Sequence, residues 1–277
     1  VSIGGGLQLP RFNFMTKHTS QKSIPSLPQP RSRIVVGTNS LSVSQQAAYS
    51  NHCQMWYNFG KHYPNVDFCF VNPPRMTIDR MRNLAAETAL EIGASHLLFI
   101  DDDVLLPLPF DFLDKLLKHD VDIAAADVLI RGFPFKHMIF KWDSPEKLGL
   151  VALDKVPRKR GPIKCGAVGF SCCLIKVDLL RKLSKPFFVT GVTNTEDIYF
   201  CVKAEKESPG TTVLADTSIV CGHILWNEII NDYNKKNYSK YWVAQNGKPG
   251  TPESEFRGKD YLASVKGVVS GKKTPKT

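Results

Sequence analysis

A short apolar run, Leu97–Ile100, leads straight into three consecutive carboxylates, Asp101, Asp102 and Asp103. An apolar run without polar alternation reads as a strand buried on both faces, the habit of a parallel sheet covered by helices. A chain built around such a strand belongs to the α/β class. The carboxylates then sit where the strand leaves the sheet, and open α/β sheets bind ligands at the carboxyl ends of their strands. Side chains alternate along extended chain, so Asp101 and Asp103 are expected on one side and Asp102 on the other. Two hard oxygen donors on one side suit Mg²⁺ or Mn²⁺. A solvated acidic turn, or the cap of a following helix, uses the same residues without a metal, so the rest of the chain has to decide.

The surrounding pattern supports the sheet. Residues 33–37 read as a first strand, with Thr38, Asn39 and Ser40 as a polar loop at its carboxyl end. A helix is expected over 44–60 and a strand over 66–71, ended by Asn72-Pro73-Pro74. Ile78, Met81, Ala85, Ala89 and Ile92 recur at helical spacing over 77–92, and Gly93 stops that helix. Arg80 and Arg82 near its start oppose the helix dipole, which suits either something anionic nearby or a solvated face. A helix over 109–118, with Pro109 in its first turn, and a buried strand over 122–126 complete a β-α-β-α-β-α-β series. That series predicts a doubly wound, mostly parallel sheet flanked by helices.

After Asp127 the pattern changes. Residues 137–142 and 148–153 read as short strands of a small antiparallel excursion, followed by a basic loop over 155–164. The small-residue stretch 165–171 leads into a strand over 172–175 and a helix over 177–183, and Gly166 and Gly169 permit close approach of a ligand or of packed neighbours. Thr195 is a natural N-cap for a helix over 196–206, and Glu196 and Asp197 suit its positive end. Two short strands are expected at 213–215 and 219–221, then an aromatic, partly basic helix over 226–242. The division expected is a basic extended arm over 1–32, an α/β domain over 33–225, and a C-terminal helix with a Lys-rich tail over 226–277.

Composition narrows the partners. The formal charge is +10, concentrated in an acid-free arm (Arg11, Lys17, Lys22, Arg31, Arg33), a cluster at 155–164, and Lys266, Lys272, Lys273 and Lys276. Such a balance favours anionic partners such as nucleotides, nucleic acid or acidic glycans. No run approaches the roughly 18 apolar residues of a membrane span, and the first thirty residues contain no apolar segment of the secretory kind. The seven cysteines are odd in number and form no CxxC, which predicts reduced, mostly buried thiols of a cytoplasmic protein and argues against a zinc site.

Three pieces in fixed order, Phe99-Ile-Asp-Asp-Asp-Val104, Thr195-Glu-Asp-Ile-Tyr-Phe-Cys201 and Cys221-Gly-His-Ile224, resemble a nucleotide-sugar glycosyltransferase of the GT-A (Rossmann-like) fold, close to the family-2-like group of bacteria and their viruses. Arg80-Met-Arg-Asn83 is similar to that group's arginine–asparagine motif, and Ala167–Ile175 to the segment lining its sugar and acceptor pocket. The resemblance covers residues 33–225. It implies a donor that is a nucleoside-diphosphate sugar, with a UDP-sugar favoured, and a Mn²⁺ or Mg²⁺ ion held by Asp103 and His223 with Asp101 nearby. It further implies Asp197 as general base supported by Glu196, and nucleotide contacts from Thr38, Asn39, Arg82, Asn83, Asp101 and Asp102. The segment Ala126–Arg131 departs from that group's Gly-rich, Tyr-Pro pattern. Viral members glycosylate modified bases in DNA, so a polyanionic acceptor such as DNA, met in a host cytoplasm, is one expectation.

Two other readings compete. A sugar nucleotidyltransferase can share the fold, yet Gly37-Thr-Asn-Ser40 lacks the Gly-rich, basic phosphate loop it would need after the first strand. A nucleic-acid-binding protein with a degenerate transferase core would use the basic segments and leave Asp103, Asp197 and His223 without a role.

Overall fold

The computed structural model describes residues 32–38, 46–73, 76–144, 146, 149–157, 159–191, 195–225 and 228–233. Its first half contains β1 (Ser32–Gly37), α1 (Gln46–His62), β2 (Val66–Val71), α2 (Ile78–Glu91), β3 (His96–Ile100), β4 (Val104–Leu105), α3 (Phe112–Lys118) and β5 (Ile123–Asp127). The second half contains β6 (Ile139–Trp142), β7 (Leu150–Ala152), β8 (Pro162–Lys164), β9 (Ala167–Val168), β10 (Cys172–Lys176), α4 (Val177–Leu180), α5 (Glu196–Glu207), β11 (Val213–Val220), β12 (Gly222–Leu225) and β13 (Glu228–Ile230).

Seven strands form the main sheet in the order β2-β1-β3-β10-β5-β11-β8. β1 pairs in parallel with β2 and β3, and β5 with β11. β10 lies between β3 and β5 and runs antiparallel to both. The mostly parallel sheet expected from the sequence is thus present, with a reversed strand at its centre. The reversal has a simple cause. From the carboxyl end of β5 the chain enters a small antiparallel sheet, β7-β6-β9, and it re-enters the main sheet at that same end, with Cys172 opposite Ile100.

Strand alternation divides the core in two. Val35, Leu97, Phe99, Ile123, Ala125, Cys173 and Ile175 face α2, α4 and α5, and pack with Met81, Ala85, Ala89, Phe188, Phe200 and Ala204. Ile34, Val36, Leu98, Ile100, Ala124 and Leu174 face the other way, against Met55, Phe59, Phe112, Leu113 and Leu116 of α1 and α3. Phe188 stacks on Phe200 with centroids 4.6 Å apart, and Phe99 on Phe170 at 6.0 Å.

Local differences from the sequence reading have local causes. α3 starts at Phe112 rather than Pro109, because Phe110 has φ 66, which no right-handed helix accommodates. The strands expected at 213–215 and 219–221 are one strand with an irregularity between Asp216 and Val220. The helix expected over 177–183 ends at Leu180, and part of the basic loop 155–164 is β8, an edge strand paired with β11. Gly166 and Gly169 admit protein, since a Cβ there would lie 2.7 Å from the Trp142 indole nitrogen and 2.2 Å from the Met138 methyl group. Within the helix expected over 226–242, Glu228–Ile230 instead pair with β12 as a strand. Residues 226–227 and 234–242 of that expectation, and the arm over 1–31, lie outside the described residues. No helix among the described residues is long and apolar enough to cross a membrane.

All seven cysteines are free, and Cys172, Cys173, Cys201 and Cys221 are buried. Burial pushes the Cys165 thiol up to about 12 and raises those of Cys173 and Cys201. In the native protein at about pH 8, a thiol reagent is expected to label exposed Cys53 first and Cys69 more slowly, and the four buried thiols only on unfolding. Site-resolved mass spectrometry of a labelling time course checks this, and rapid modification of Cys173 or Cys201 would contradict the core packing.

Candidate functional site at the carboxyl end of the sheet

Ile100 faces the α1/α3 layer, so the next residue, Asp101, turns toward α2 and α5. Its backbone N–H donates to Ser171 O of the neighbouring β9–β10 connection at 3.0 Å. There it meets Arg82, a helix residue only 1% exposed. The guanidinium donates from Nη2 to Asp101 Oδ1 at 3.1 Å, from Nε to Glu196 Oε1 at 2.9 Å, and from Nη1 to Phe170 O at 3.3 Å. It also lies over the Phe99 ring, 4.7 Å from the centroid. The anions beside Arg82 are therefore the protein's own: Asp101 just after β3 and Glu196 at the start of α5.

This clamp shifts its partners. Burial disfavours the charge on Arg82, but Asp101, Glu196 and Asp197 outweigh it and raise its pKa. Burial pushes the Asp101 and Glu196 carboxyls above the usual carboxylate range, against the pull of Arg82, and the charges of Asp103 and Asp197 respectively add to the rise.

The other side of the site is assembled by the small sheet β13-β12-β4. The chain turns after Asp101, with Val104 N donating to Asp101 O at 3.3 Å, and β4 then pairs with β12 so that His223 stands opposite Val104. Ile224 N donates to Asp103 O at 2.9 Å, which brings His223 beside Asp103 across more than a hundred residues. His223 Nδ1 donates to Leu129 O at 2.7 Å, which leaves Nε2 facing Asp103 Oδ1 at 3.5 Å. Asp103 Oδ2 also pairs with Arg131 Nη1 at 2.8 Å. Burial would raise the Asp103 carboxyl, but the hydrogen bond and charge of His223, with the charge of Arg131, hold it below the usual range.

Asp101, Asp102, Asp103, Arg82, Arg131, Glu196, Asp197 and His223 line one cleft of about 360 Å³. Five carboxylates there face two guanidiniums. Asp197 Oδ1 accepts hydrogen bonds from Thr195 Oγ1 and, at 2.7 Å, from Ile198 N. Thr195 thus orients Asp197 and makes no side-chain capping bond to the α5 backbone. A larger hollow of about 580 Å³ at the amino ends of β1 and β3 contains Arg33, Lys176 and Arg181, but these pair with Asp67, Asp120 and Asp178 and converge on no common point.

Some expected residues stand elsewhere. Thr38 is buried at the end of β1, its N–H donating to Val71 O at 3.1 Å, and it does not line the cleft. Asn39 lies outside the described residues. Asn83 does not reach the cleft: its Nδ2 donates to Asp79 O and Phe188 O, and its Oδ1 accepts from the N–H groups of Phe187 and Phe188. All four hydrogen-bonding positions of the amide are engaged, so it braces the 187–188 segment and has no group left for a nucleotide. Arg82 forms the cleft floor through its salt bridges. Sequence reasoning passed over Arg131 as a donor of charge to the site, because one arginine in an irregular loop carries no periodic signal.

A divalent cation fits the donor set. Asp103 supplies a hard oxygen, and His223 presents the ring nitrogen left free by its bond to Leu129. No group of three or more His, Cys, Asp or Glu side chains able to hold an ion occurs among the described residues. An ion at Asp103 and His223 would therefore take the rest of its shell from water and a bound ligand, as an ion bridging phosphates does.

No family model matches the chain, and no curated protein matches it in sequence. Among solved structures, the chain is similar to A197 from STIV, with TM-score 0.51 and 16% identity over 72% of this chain and 90% of that one. A glycosyltransferase involved in glycosylation of the major capsid of PBCV-1 aligns with TM-score 0.35 and 11% identity over 67% and 82% of the two chains. Apo-UDP-glucose pyrophosphorylase aligns with TM-score 0.38 and 9% identity over 77% and 82%. Those two scores are too low to carry an argument, and the likeness to A197 concerns the fold alone. That fold is mixed α/β, a large, mostly parallel sheet flanked by helices with small antiparallel sheets beside it.

Replacing Arg82 by Met leaves Asp101 and Glu196 buried without their partner, and is expected to destabilise the fold by about 3–5 kcal/mol near neutral pH. Both carboxyls already titrate above their usual range when folded, so the folded state binds more protons than the unfolded state between the two pKa values. Arg82→Met should raise them further, so its deficit should shrink as pH falls from the variant's raised pKa values toward those of the native protein. Urea unfolding at several pH values measures it, and a deficit that grows on acidification would contradict the clamp.

Proposed function

We propose that the protein is a metal-dependent glycosyltransferase that moves a sugar from a nucleoside-diphosphate sugar to an acceptor hydroxyl. The observation that carries this reading is that one cleft at the carboxyl end of a GT-A-like sheet holds the Asp103–His223 pair opposite a fixed carboxylate, Asp197, at the start of α5. These are the parts the reaction needs. A divalent ion at Asp103 and His223, Mn²⁺ or Mg²⁺, would stabilise the charge that grows on the leaving diphosphate.

The chain's own residues do the rest. Asp197 takes the proton of the acceptor hydroxyl. Both of its hydrogen bonds to described residues fall on Oδ1, so Oδ2 is the oxygen that receives the proton. Glu196 is a positioning residue: its ion pair with Arg82 sets the start of α5, and with it Asp197, against the end of β3. Asp101 and Asp102 border the donor, with Asp101, held by Arg82, assigned to the ribose. A UDP-sugar is the favoured donor.

The accessible charge of the cleft argues against nucleic acid as its ligand. The cleft is lined by five carboxylates and two guanidiniums, and Arg82 is already paired with Asp101 and Glu196 and Arg131 with Asp103. In the basic segment 155–164, Arg160 is taken up by Asp127 and Asp232. A polyanionic acceptor such as DNA therefore draws no support from the cleft, whereas a donor diphosphate arriving with its cation does.

Calorimetry with UDP, GDP and CDP, with and without Mn²⁺, tests the reading. One nucleotide should bind in a metal-dependent way, and Asp103→Ala should abolish that binding. Asp197→Asn should retain it while losing turnover by about 10²–10⁴-fold. Absence of nucleotide binding with any metal, or binding indifferent to both metal and Asp103, would refute it.

A further inference from the structure

Arg131 is the least settled charge in the cleft. Its side chain is 56% exposed, whereas that of its partner Asp103 is 20% exposed and that of Arg82 only 2%. It lies in the connection between β5 and β6, and the stems of that connection are well held. Leu129 pairs with His137, Ile130 N donates to Lys136 O at 2.9 Å, and Phe135 N donates to Gly132 O at 2.8 Å. Leu129 and Phe135 are buried as a small apolar cluster beneath it. The same loop orients His223 through Leu129 O. A firm base thus carries one long, half-exposed cationic side chain over the carboxylate that also faces His223.

That carboxylate faces two partners. Asp103 Oδ2 holds Arg131 at 2.8 Å, and Oδ1 faces His223 Nε2 at 3.5 Å. A guanidinium on one oxygen weakens the carboxylate as a ligand for a divalent ion and repels that ion directly. The guanidinium can leave at low cost only if another anion is in reach, since the described carboxylates nearest the floor are already bonded to Arg82. The anion that comes with the metal is the diphosphate. A planar guanidinium matches two phosphate oxygens at once, and a half-exposed arginine is free to turn toward them.

We propose that Arg131 is a diphosphate-binding residue that Asp103 holds in reserve. In the free protein it neutralises Asp103. When a divalent cation and donor arrive together, Asp103 passes to the cation and Arg131 to the phosphate, so no charge is left unpaired in either state. Arg131 then favours joint over separate binding of metal and diphosphate. This rests on the reading of the cleft as a nucleoside-diphosphate site.

The test uses the full chain with Arg131→Gln and Arg131→Lys. Mn²⁺ binding without nucleotide is followed by the paramagnetic resonance signal of the free ion, and binding of inorganic pyrophosphate and UDP at fixed Mn²⁺ by calorimetry. Arg131→Gln should bind Mn²⁺ alone severalfold more tightly than the native protein, and should bind pyrophosphate and UDP about tenfold more weakly. Arg131→Lys should fall between, since it keeps the charge and loses the fork. If Arg131→Gln leaves Mn²⁺ affinity unchanged or lowers it, or leaves diphosphate affinity unchanged while the native protein binds, the inference fails and the functional reading stands. If the native protein binds neither pyrophosphate nor UDP, GDP or CDP with Mn²⁺, both fail.

Discussion

The buried guanidinium of Arg82 is the interaction on which the site depends. Asp101 ends β3 and Glu196 begins α5, two carboxylates from distant parts of the chain that are drawn below the surface on the same face of the sheet. Without a cation between them they would repel each other in a poorly solvated place. Arg82 joins them, and Phe99 and Phe170 flank it and exclude water. One charge thereby ties the turn after β3, which carries Asp103, to the helix that carries Asp197. Asn83, the next residue on α2, does the same for the backbone at Phe187 and Phe188, so one turn of helix serves both the cleft floor and the wall beside it.

The second organising device is topological. The chain leaves β5 at Asp127, builds a small sheet, and returns as the reversed strand β10. Asp127 is buried and accepts from His137 Nδ1 at 2.5 Å and from Arg160 at 2.7 Å, and Asp232 closes the group from beyond β13. Two carboxylates, an imidazole and a guanidinium thus tie the loop after β5, the segment before β8 and the end of the small sheet to one another. That tie supports Leu129, whose carbonyl fixes the ring of His223.

The balance of charge then explains what the cleft can accept. Arg82 is engaged within the protein by Asp101 and Glu196, and the cleft lining holds more carboxylates than guanidiniums. An excess of carboxylate over guanidinium disfavours a bare polyanion in such a cleft. The strongly positive overall charge is no guide to this site, because the acid-free arm that contributes to it lies far from the cleft in sequence, and Arg160 of the central cluster is neutralised internally.

Much of this was legible without coordinates wherever the signal was local and periodic. Leu97–Ile100 announced a buried strand, the spacing from Ile78 to Ala89 a helix, and the acidic start of α5 its own N-terminus. Strand alternation set which side chains of β3 face which layer, and so directed Asp101 toward α2 and α5. Other features needed the folded chain. The reversal of β10, the single run of β11, and the pairing of Glu228–Ile230 as a strand depend on which edge is free when the segment arrives. The full engagement of Asn83, and the meeting of Arg131 with Asp103, leave no trace in local sequence. The sequence by itself determined the α/β class, the acidic strand end and the candidate carboxylates, because those follow from side-chain periodicity along the backbone. Only the tertiary structure decided that Arg82 serves the protein's own carboxylates and that Asp103 is shared between His223 and Arg131, because burial and ion pairing are set by neighbours that are close in space and remote in sequence.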